Sequence, residues 1–457
     1  MDDGLSRRSF LRTAAVGAGA AAGCSLPRPS VTGDRIDSDG IPPSGTATAQ
    51  FRGGLRRQGV YPEASVPTEV ETAWTVPDVN TGDHTAAKAS SVALPEGDLL
   101  IPGDAGELRR VTPGGEVVWT ADVTDASRGM HGTPAVANGT AYIGAYDGAL
   151  SAVDLETGDR HWRAALGDAI GSSPGYYDGT VYIAVEYNDP SGAMFAVDAV
   201  DGSVEWDDQR ITDHPHSTCA IDREAGRLVV GSNDGDLYAW SYPDLEFLWT
   251  FSTGEPIKGP IATADGSAFF GSWNESVYRV ALDDGTEEWS LDTGNLVMTG
   301  PSVEVATDTV YFGNHAGTLF ALDIGSGERR WRFDTEGRLI GCPTVTAEHV
   351  LVGSHDTNLY CVEKATGRET WRVGAAGTVS STPLVRDGAV YFADRASQDY
   401  VADGEGETGK FRKLVATNCS LRSRFLYRTT PSVRLIDSNR TNAVSRSGHR
   451  SASSKYR

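Results

Sequence analysis

Gly132-Thr133-Pro134-Ala135-Val136, Asn138-Gly139, Ala141-Tyr142-Ile143-Gly144, Asp147-Gly148, Leu150-Ser151-Ala152-Val153-Asp154 and Thr157-Gly158, ending on Trp162, form the stretch whose reading decides the fold. Short apolar and β-branched runs alternate with Asn-Gly, Asp-Gly and Thr-Gly pairs, which favour the positive φ of tight turns. The pattern predicts four short antiparallel strands, with Trp162 on the fourth. One such sheet cannot cover both of its faces, so it requires neighbours of its own kind.

The neighbours are present. Eight of the ten tryptophans, Trp74, Trp119, Trp162, Trp206, Trp249, Trp289, Trp331 and Trp371, recur at intervals of 40 to 45 residues. A period of that length marks a repeat architecture. In six repeats the Trp follows a glycine by four residues, at Gly115, Gly158, Gly202, Gly285, Gly327 and Gly367, whereas Pro243-Asp244 precedes Trp249. Inner strands begin near Ser90, Thr133, Ser173, Thr218, Gly259, Gly300, Cys342 and Thr382. Stacked radially, these sheets give an all-β, eight-bladed β-propeller of four-stranded antiparallel blades. A large ring at one position per blade reads as the wedge between sheets rather than as a ligand stripe. The eighth set runs through Ala389-Val390-Tyr391-Phe392, Tyr400-Val401 and Thr408-Gly409, then reaches Lys413 where a Trp is due. Its outer strand is missing, and Val70-Glu71-Thr72-Ala73-Trp74 is a spare one. This N-terminal strand is expected to complete the last blade and close the ring, which removes open sheet edges.

Asp154-Leu155-Glu156-Thr157-Gly158-Asp159-Arg160-His161-Trp162 resembles the pyrroloquinoline-quinone-like (PQQ-like) propeller repeat, and Gln50-Phe51-Arg52-Gly53-Gly54 is similar to the opening segment common in that family. The resemblance covers residues 49–412. It implies the propeller and leaves the chemistry open, because the family includes quinone-dependent dehydrogenases and cofactor-free scaffolds of the BamB type. The enzymes carry a Ca²⁺ site of Glu, Asn and Asp, a catalytic Asp and, in many, an adjacent Cys-Cys disulfide. This sequence has no Cys-Cys pair and no long insertion in a repeat. No catalytic residue is carried over, and no cofactor or metal is expected. PQQ and Ca²⁺ belong to the alternative reading, a quinoprotein dehydrogenase.

Composition narrows the partners. The chain has 457 residues and a formal charge of −22, and residues 1–409 alone carry −33. So acidic a body repels nucleic acid. With 62 acidic residues against six lysines, the composition is that expected of a halophilic archaeon, where carboxylates keep a protein hydrated in salt. Five cysteines exclude a disulfide scaffold. Cys342 and Cys361 belong to the inner and third strands of one blade, roughly 9–10 Å apart at about 4.8 Å per strand, too far for a bridge.

Ser6-Arg7-Arg8-Ser9-Phe10-Leu11-Arg12, followed by a small-residue apolar run, resembles a twin-arginine signal over residues 1–23. Ala21-Ala22-Gly23-Cys24 is similar to a lipobox, which makes Cys24 the expected site of lipidation and of membrane anchoring. Residues 24–48 read as a flexible linker.

Within a blade, the lead-in to the inner strand and the turn between strands two and three fall on the same face of the disc. Around the channel mouth this collects Lys88, His131, His216, Lys258 and Met298 from lead-ins, and Asp147, Asp189, Asp234, Trp273, Asn274, His315, His355, Asp356, Asp394 and Arg395 from turns, where the acidic members need no function because turns favour Asp and Asn. The candidate binding face is His131, His216, Lys258, Trp273, His315, His355 and Arg395. Trp273 departs from the blade ladder and is either an exposed anchor for a partner or a cover over the channel. The histidines lie on different blades without short ligand spacing, which argues against a metal site.

From Lys413 onward the chain loses the repeat and becomes rich in Ser, Arg and Thr, so residues 413–457 are expected to form a basic, disordered tail. The sequence as a whole reads as an exported, lipid-anchored, monomeric and non-enzymatic scaffold on the outer face of the cell membrane. Its loop face is expected to bind an extracytoplasmic protein or a small ligand.

Overall fold

The computed structural model describes residues 50–81, 89–396 and 409–417. The export signal, Cys24, the linker, Lys88, Tyr400-Val401 and residues 418–457 lie outside them.

Eight four-stranded antiparallel sheets follow one another along the chain. In the second blade the strands are Ala135–Ala137, Thr140–Gly144, Ala149–Asp154 and Arg160–Ala165, laid side by side in that order. The turn between the first two has positive φ at both Asn138 (50°) and Gly139 (75°), as a two-residue hairpin requires. The inner three strands are buried on both faces, while the outer strand alternates between exposed and half-buried residues. Apolar clusters lie between blades: Tyr142, Leu150 and Ala152 of the second pack with Tyr176, Ile183 and Phe195 of the third.

The tryptophan ladder does its work at these seams. Seven of the eight ladder indoles, all but Trp206, reach over the following blade and donate from Nε1 to a backbone carbonyl there, as Trp119 does to Leu155 at 2.9 Å, Trp162 to Ala199 at 3.1 Å, Trp289 to Ile324 at 2.8 Å and Trp331 to Lys364 at 2.9 Å. The glycine four residues before each Trp is the seat of the preceding blade's ring. A Cβ on Gly158, which has φ 80°, would come within 2.9 Å of the Trp119 ring. The fourth blade lacks that glycine and instead packs Leu245 and Phe247 near Trp206, which meets Trp240 edge-on at 6.1 Å.

Closure follows the expected route with one correction. Strand Val70–Asn80 is the outer strand of the eighth blade, in the order Val70–Asn80, Gly409–Ala416, Ala389–Ala393, Leu384–Arg386. Trp74 donates to Pro113 O of the first blade at 3.0 Å, and Trp371 donates to Pro67 O at 2.8 Å. The third strand of this blade is Gly409–Ala416. The propeller therefore runs past 412: of the residues assigned from sequence to the tail, Lys413 and Leu414 are paired on both sides, and Val415 and Ala416 pair with Glu71 and Val70. Lys413 stands opposite Trp74, and Leu414 opposite both Thr72 and Val390. Phe411 and Leu414, three residues apart and so on opposite faces of the strand, are both fully buried, one in the seam with the first blade and the other in the seam with the seventh, and the basic residues between them hide the strand.

Residues 50–64 cross the inner strands on the face away from the mouth. Carbonyls of Leu55, Arg56, Gln58 and Gly59 accept the N–H of Ile221, Thr263, Val303 and Val345 in the fourth to seventh blades. Val60–Tyr61 adds a parallel strand to the seventh. Arg52 and Arg57 are buried here; Arg52 donates to Pro301 O and Ser302 Oγ, both at 2.7 Å, and Arg57 to the carbonyls of Cys219, Phe51 and Pro174.

Candidate functional site at the channel mouth

The lead-ins and the turns do share a face. Tyr146 N donates to Gly129 O, Asn233 N to His214 O, Trp273 N to Pro256 O, His315 N to Leu296 O and His355 N to Arg338 O, each bond joining turn to lead-in within one blade.

Just below, the first residue of each inner strand links to the next blade. Backbone N–H groups of Gly300, Cys342, Thr382, Ser90, Thr133 and Ser173 donate in turn to the side chains of Cys342, Thr382, Ser90, Thr133, Ser173 and Thr218, at 2.8 to 3.2 Å. Small hydroxyl residues recur at this position, as Ser90, Thr133, Ser173, Thr218 and Thr382, because their oxygen is the acceptor of this ring. Gly259 and Gly300 offer no such acceptor and interrupt it. The ring surrounds an axial cavity of about 40 Å³ whose floor is Phe51.

Above the ring the mouth widens into a cavity of about 440 Å³ over the second to sixth blades. His216 Nδ1 lies 2.9 Å from Glu186 Oε1, and the His131 and Tyr146 rings meet at a 60° tilt with centroids 4.4 Å apart. His131 is 3% exposed. Lys258 places Nζ 4.0 Å from the centre of the Trp273 ring and forms no hydrogen bond or ion pair with a described residue. Burial lowers its pKa, and the nearby Glu186 and Asp213 carboxylates oppose the shift without cancelling it. Burial also raises the Tyr146 pKa, with Glu186 adding to the effect, so the phenol stays protonated.

Of the residues read from sequence, His131, His216, Lys258 and Trp273 converge at the mouth, with His315 edge-on to Trp273 at 6.5 Å. Trp273 is half-buried and lines the mouth cavity. His355 is held apart, its Nε2 2.8 Å from Ser380 Oγ and its Nδ1 accepting from Arg338. Arg395 is a correction: it is 6% exposed and lies 3.5 Å from the fully buried Asp104. Asp394 is likewise buried, against Arg412. Sequence reading missed Tyr146, Glu186, Asn233 and Arg128. Glu186 had a signal: the third blade's central hairpin, Thr180–Tyr187 with Ser191–Asp198, is longer than its counterparts and lifts Glu186 to the mouth. Cys219, Cys342 and Cys361 are buried free thiols.

An eight-bladed propeller of PQQ-like repeats with an open mouth defines the class. The family model described as outer membrane protein assembly factor BamB matches residues 104–223, 217–337 and 321–410, and the chain belongs to that family. BamB from Yersinia pestis is 24% identical over 303 residues, 61% of this chain and 73% of that protein. The serine/threonine-protein kinase AfsK from Streptomyces coelicolor is 28% identical over 311 residues, 56% of this chain; the match spans only 36% of the kinase. Among solved structures, quinohemoprotein alcohol dehydrogenase from Comamonas testosteroni aligns at TM-score 0.67 and 14% identity, over 88% of this chain and 85% of the enzyme. BamB from Moraxella catarrhalis aligns at 0.57 and 17%, over 76% and 99%. These structural likenesses concern the fold.

Proposed function

We propose that this chain is an exported propeller, lipid-anchored at Cys24 and held at the cell surface of a halophile, that works as a non-catalytic scaffold and binds an extracytoplasmic protein or a small ligand at its mouth. The observation that carries the reading is the 440 Å³ cavity, lined by Tyr146, Tyr187, Trp273, Lys258 and His216, on a propeller of the BamB family. Aromatic faces beside a few charged groups are the usual makings of a binding site.

The quinone and calcium of the dehydrogenases do not suit this mouth. Ca²⁺ takes roughly six to eight oxygen ligands. Here Glu186 already engages His216 through Oε1, and no three His, Cys, Asp or Glu side chains among the described residues are placed to hold a metal ion. The axial cavity below the mouth, about 40 Å³, is far smaller than the roughly 300 Å³ at which small-molecule sites begin and has no room for a quinone, so the metal chemistry of the 440 Å³ mouth is what argues against the cofactor.

The test is reconstitution with PQQ and Ca²⁺ alongside capture of partners by the intact protein. The expected result is no stoichiometric chromophore, no dye-linked oxidation, and a captured species lost from the Trp273→Ala, His216→Ala variant. A stoichiometric quinone chromophore would overturn the scaffold.

A further inference from the structure

The axial cavity carries an inference that does not depend on whether the mouth docks a partner. Its walls include Thr133, Ser173, Thr218 and Thr382. Each of these hydroxyl oxygens is already an acceptor, taking the backbone N–H of the preceding blade. No described residue accepts a hydrogen bond from them in return. A hydroxyl that accepts along the ring has its proton left for the axis, so the ring presents O–H donors to the space it encloses. The Lys258 ammonium stands at the rim, half-buried and without an ion pair among the described residues. In a chain with 62 acidic residues, none of the described residues lining this cavity is Asp or Glu.

Two further cations lie beneath the floor. Arg52 and Arg57 follow and flank Phe51, both almost wholly buried. Among the described residues, the Arg52 guanidinium donates to two carbonyls and one hydroxyl, and its Nε and Nη1 are buried with no partner there. Buried charge needs a counter-charge or a dense set of hydrogen bonds, and the lining of this cavity supplies a cation and hydroxyl donors but no carboxylate, Glu186 lying in the wider mouth. The volume sets the size of what restores the balance. A water-sized occupant needs at least about 10–15 Å³, so 40 Å³ admits a monatomic ion with a water or two and excludes an organic acid. We propose that the axial cavity is a halide site, in which chloride accepts hydrogen bonds from the hydroxyl ring and faces the Lys258 ammonium.

The probe is the halide itself, at constant ionic strength. Native protein is melted while potassium chloride replaces potassium gluconate, and crystals soaked in bromide are examined for anomalous scattering. The expected results are a saturable rise of the melting temperature with chloride and one bromide peak on the axis, inside the ring of hydroxyls. Lys258→Met keeps the alkyl stem over Trp273 and should need at least about tenfold more chloride for the same rise; Thr218→Val should weaken binding less. Identical melting in the two salts with no axial bromide, or a Lys258→Met variant with the native chloride response, would overturn the site. The bromide peak is read on native protein, so it decides the matter even if a variant folds poorly.

Discussion

At the scale of single residues, the repeat uses two side chains that only make sense together. A Trp in one blade and a Gly in the next form a single joint, with ring over backbone and indole N–H on a carbonyl; Trp331 and Gly367 are one such pair. The ladder of tryptophans was legible because the joint recurs. Its glycines read as turn residues, and their second duty, leaving room for a ring from the neighbouring blade, depends on a contact between blades that no single repeat displays. His355 shows the same limit at the mouth. Its place in a turn suggested an available imidazole, yet burial, with Arg338 and His315 close by, lowers its pKa from 6.5 to about 4. A base that is harder to protonate when folded favours the unfolded chain as acid is added. The contribution of His355 is therefore complete above pH 6.5 and is lost as the pH falls from 6.5 towards 4. The full shift discounted for residual solvent gives about 2 kcal/mol. Urea titrations at pH 7.5 and 4.5 should show the native protein losing about that much more stability than His355→Gln. Equal losses in the two would exclude the histidine as the source.

At the scale of elements, the last blade is built from both ends of the propeller, and its strands were read unevenly. Val70-Glu71-Thr72-Ala73-Trp74 was legible as an outer strand because it ends in the repeat's own signature. Gly409–Ala416 was not, because Lys410, Arg412 and Lys413 break the apolar run and place the strand in a stretch whose charge has already reversed. Pairing explains how those cations are tolerated: Arg412 Nε donates to the buried Asp394 at 2.8 Å, and Lys413 Nζ reaches Pro113 O at 2.9 Å beside the Trp74 ring. The strand also joins Val70–Asn80 to the rest of the molecule, since its other neighbour is Ala389–Ala393. Truncation after Arg412 removes Leu414, which is fully buried, and the partners of Val70, Glu71 and Thr72. Loss of a buried Leu alone costs about 2–5 kcal/mol, enough to consume much of the roughly 5–15 kcal/mol typical of a domain. Truncation after Thr417 removes none of these contacts. Thermal melts of the two shortened chains should differ widely, with the longer one close to native; coincident melts would mean that the closing strand contributes little to stability.

At the scale of the whole molecule, two electrostatic effects pull in opposite directions as salt is added. Ion pairs decorate the blades, among them Arg330 with Asp323 at 2.8 Å and Arg372 with Glu369 at 3.0 Å. Exposed pairs of this kind contribute about 0–1 kcal/mol each and weaken with salt. Against them stands the excess of acid, −22 over the chain, whose mutual repulsion acts over longer distances and destabilises the compact state. The Debye length falls from about 10 Å at 0.1 M to about 3 Å at 1 M. Screening therefore removes repulsion between distant carboxylates before it reaches pairs in contact at about 3 Å, and repulsion is the term that changes most. The protein should become more stable between 0.1 and 2 M potassium gluconate, a salt that screens charge without supplying a halide, and most of the gain should come below about 1 M. Guanidine-free thermal melts across that range measure it directly. A melting temperature that stays flat or falls would show that the ion pairs, and not the net charge, govern the response, and would remove the physical basis for reading this composition as an adaptation to salt.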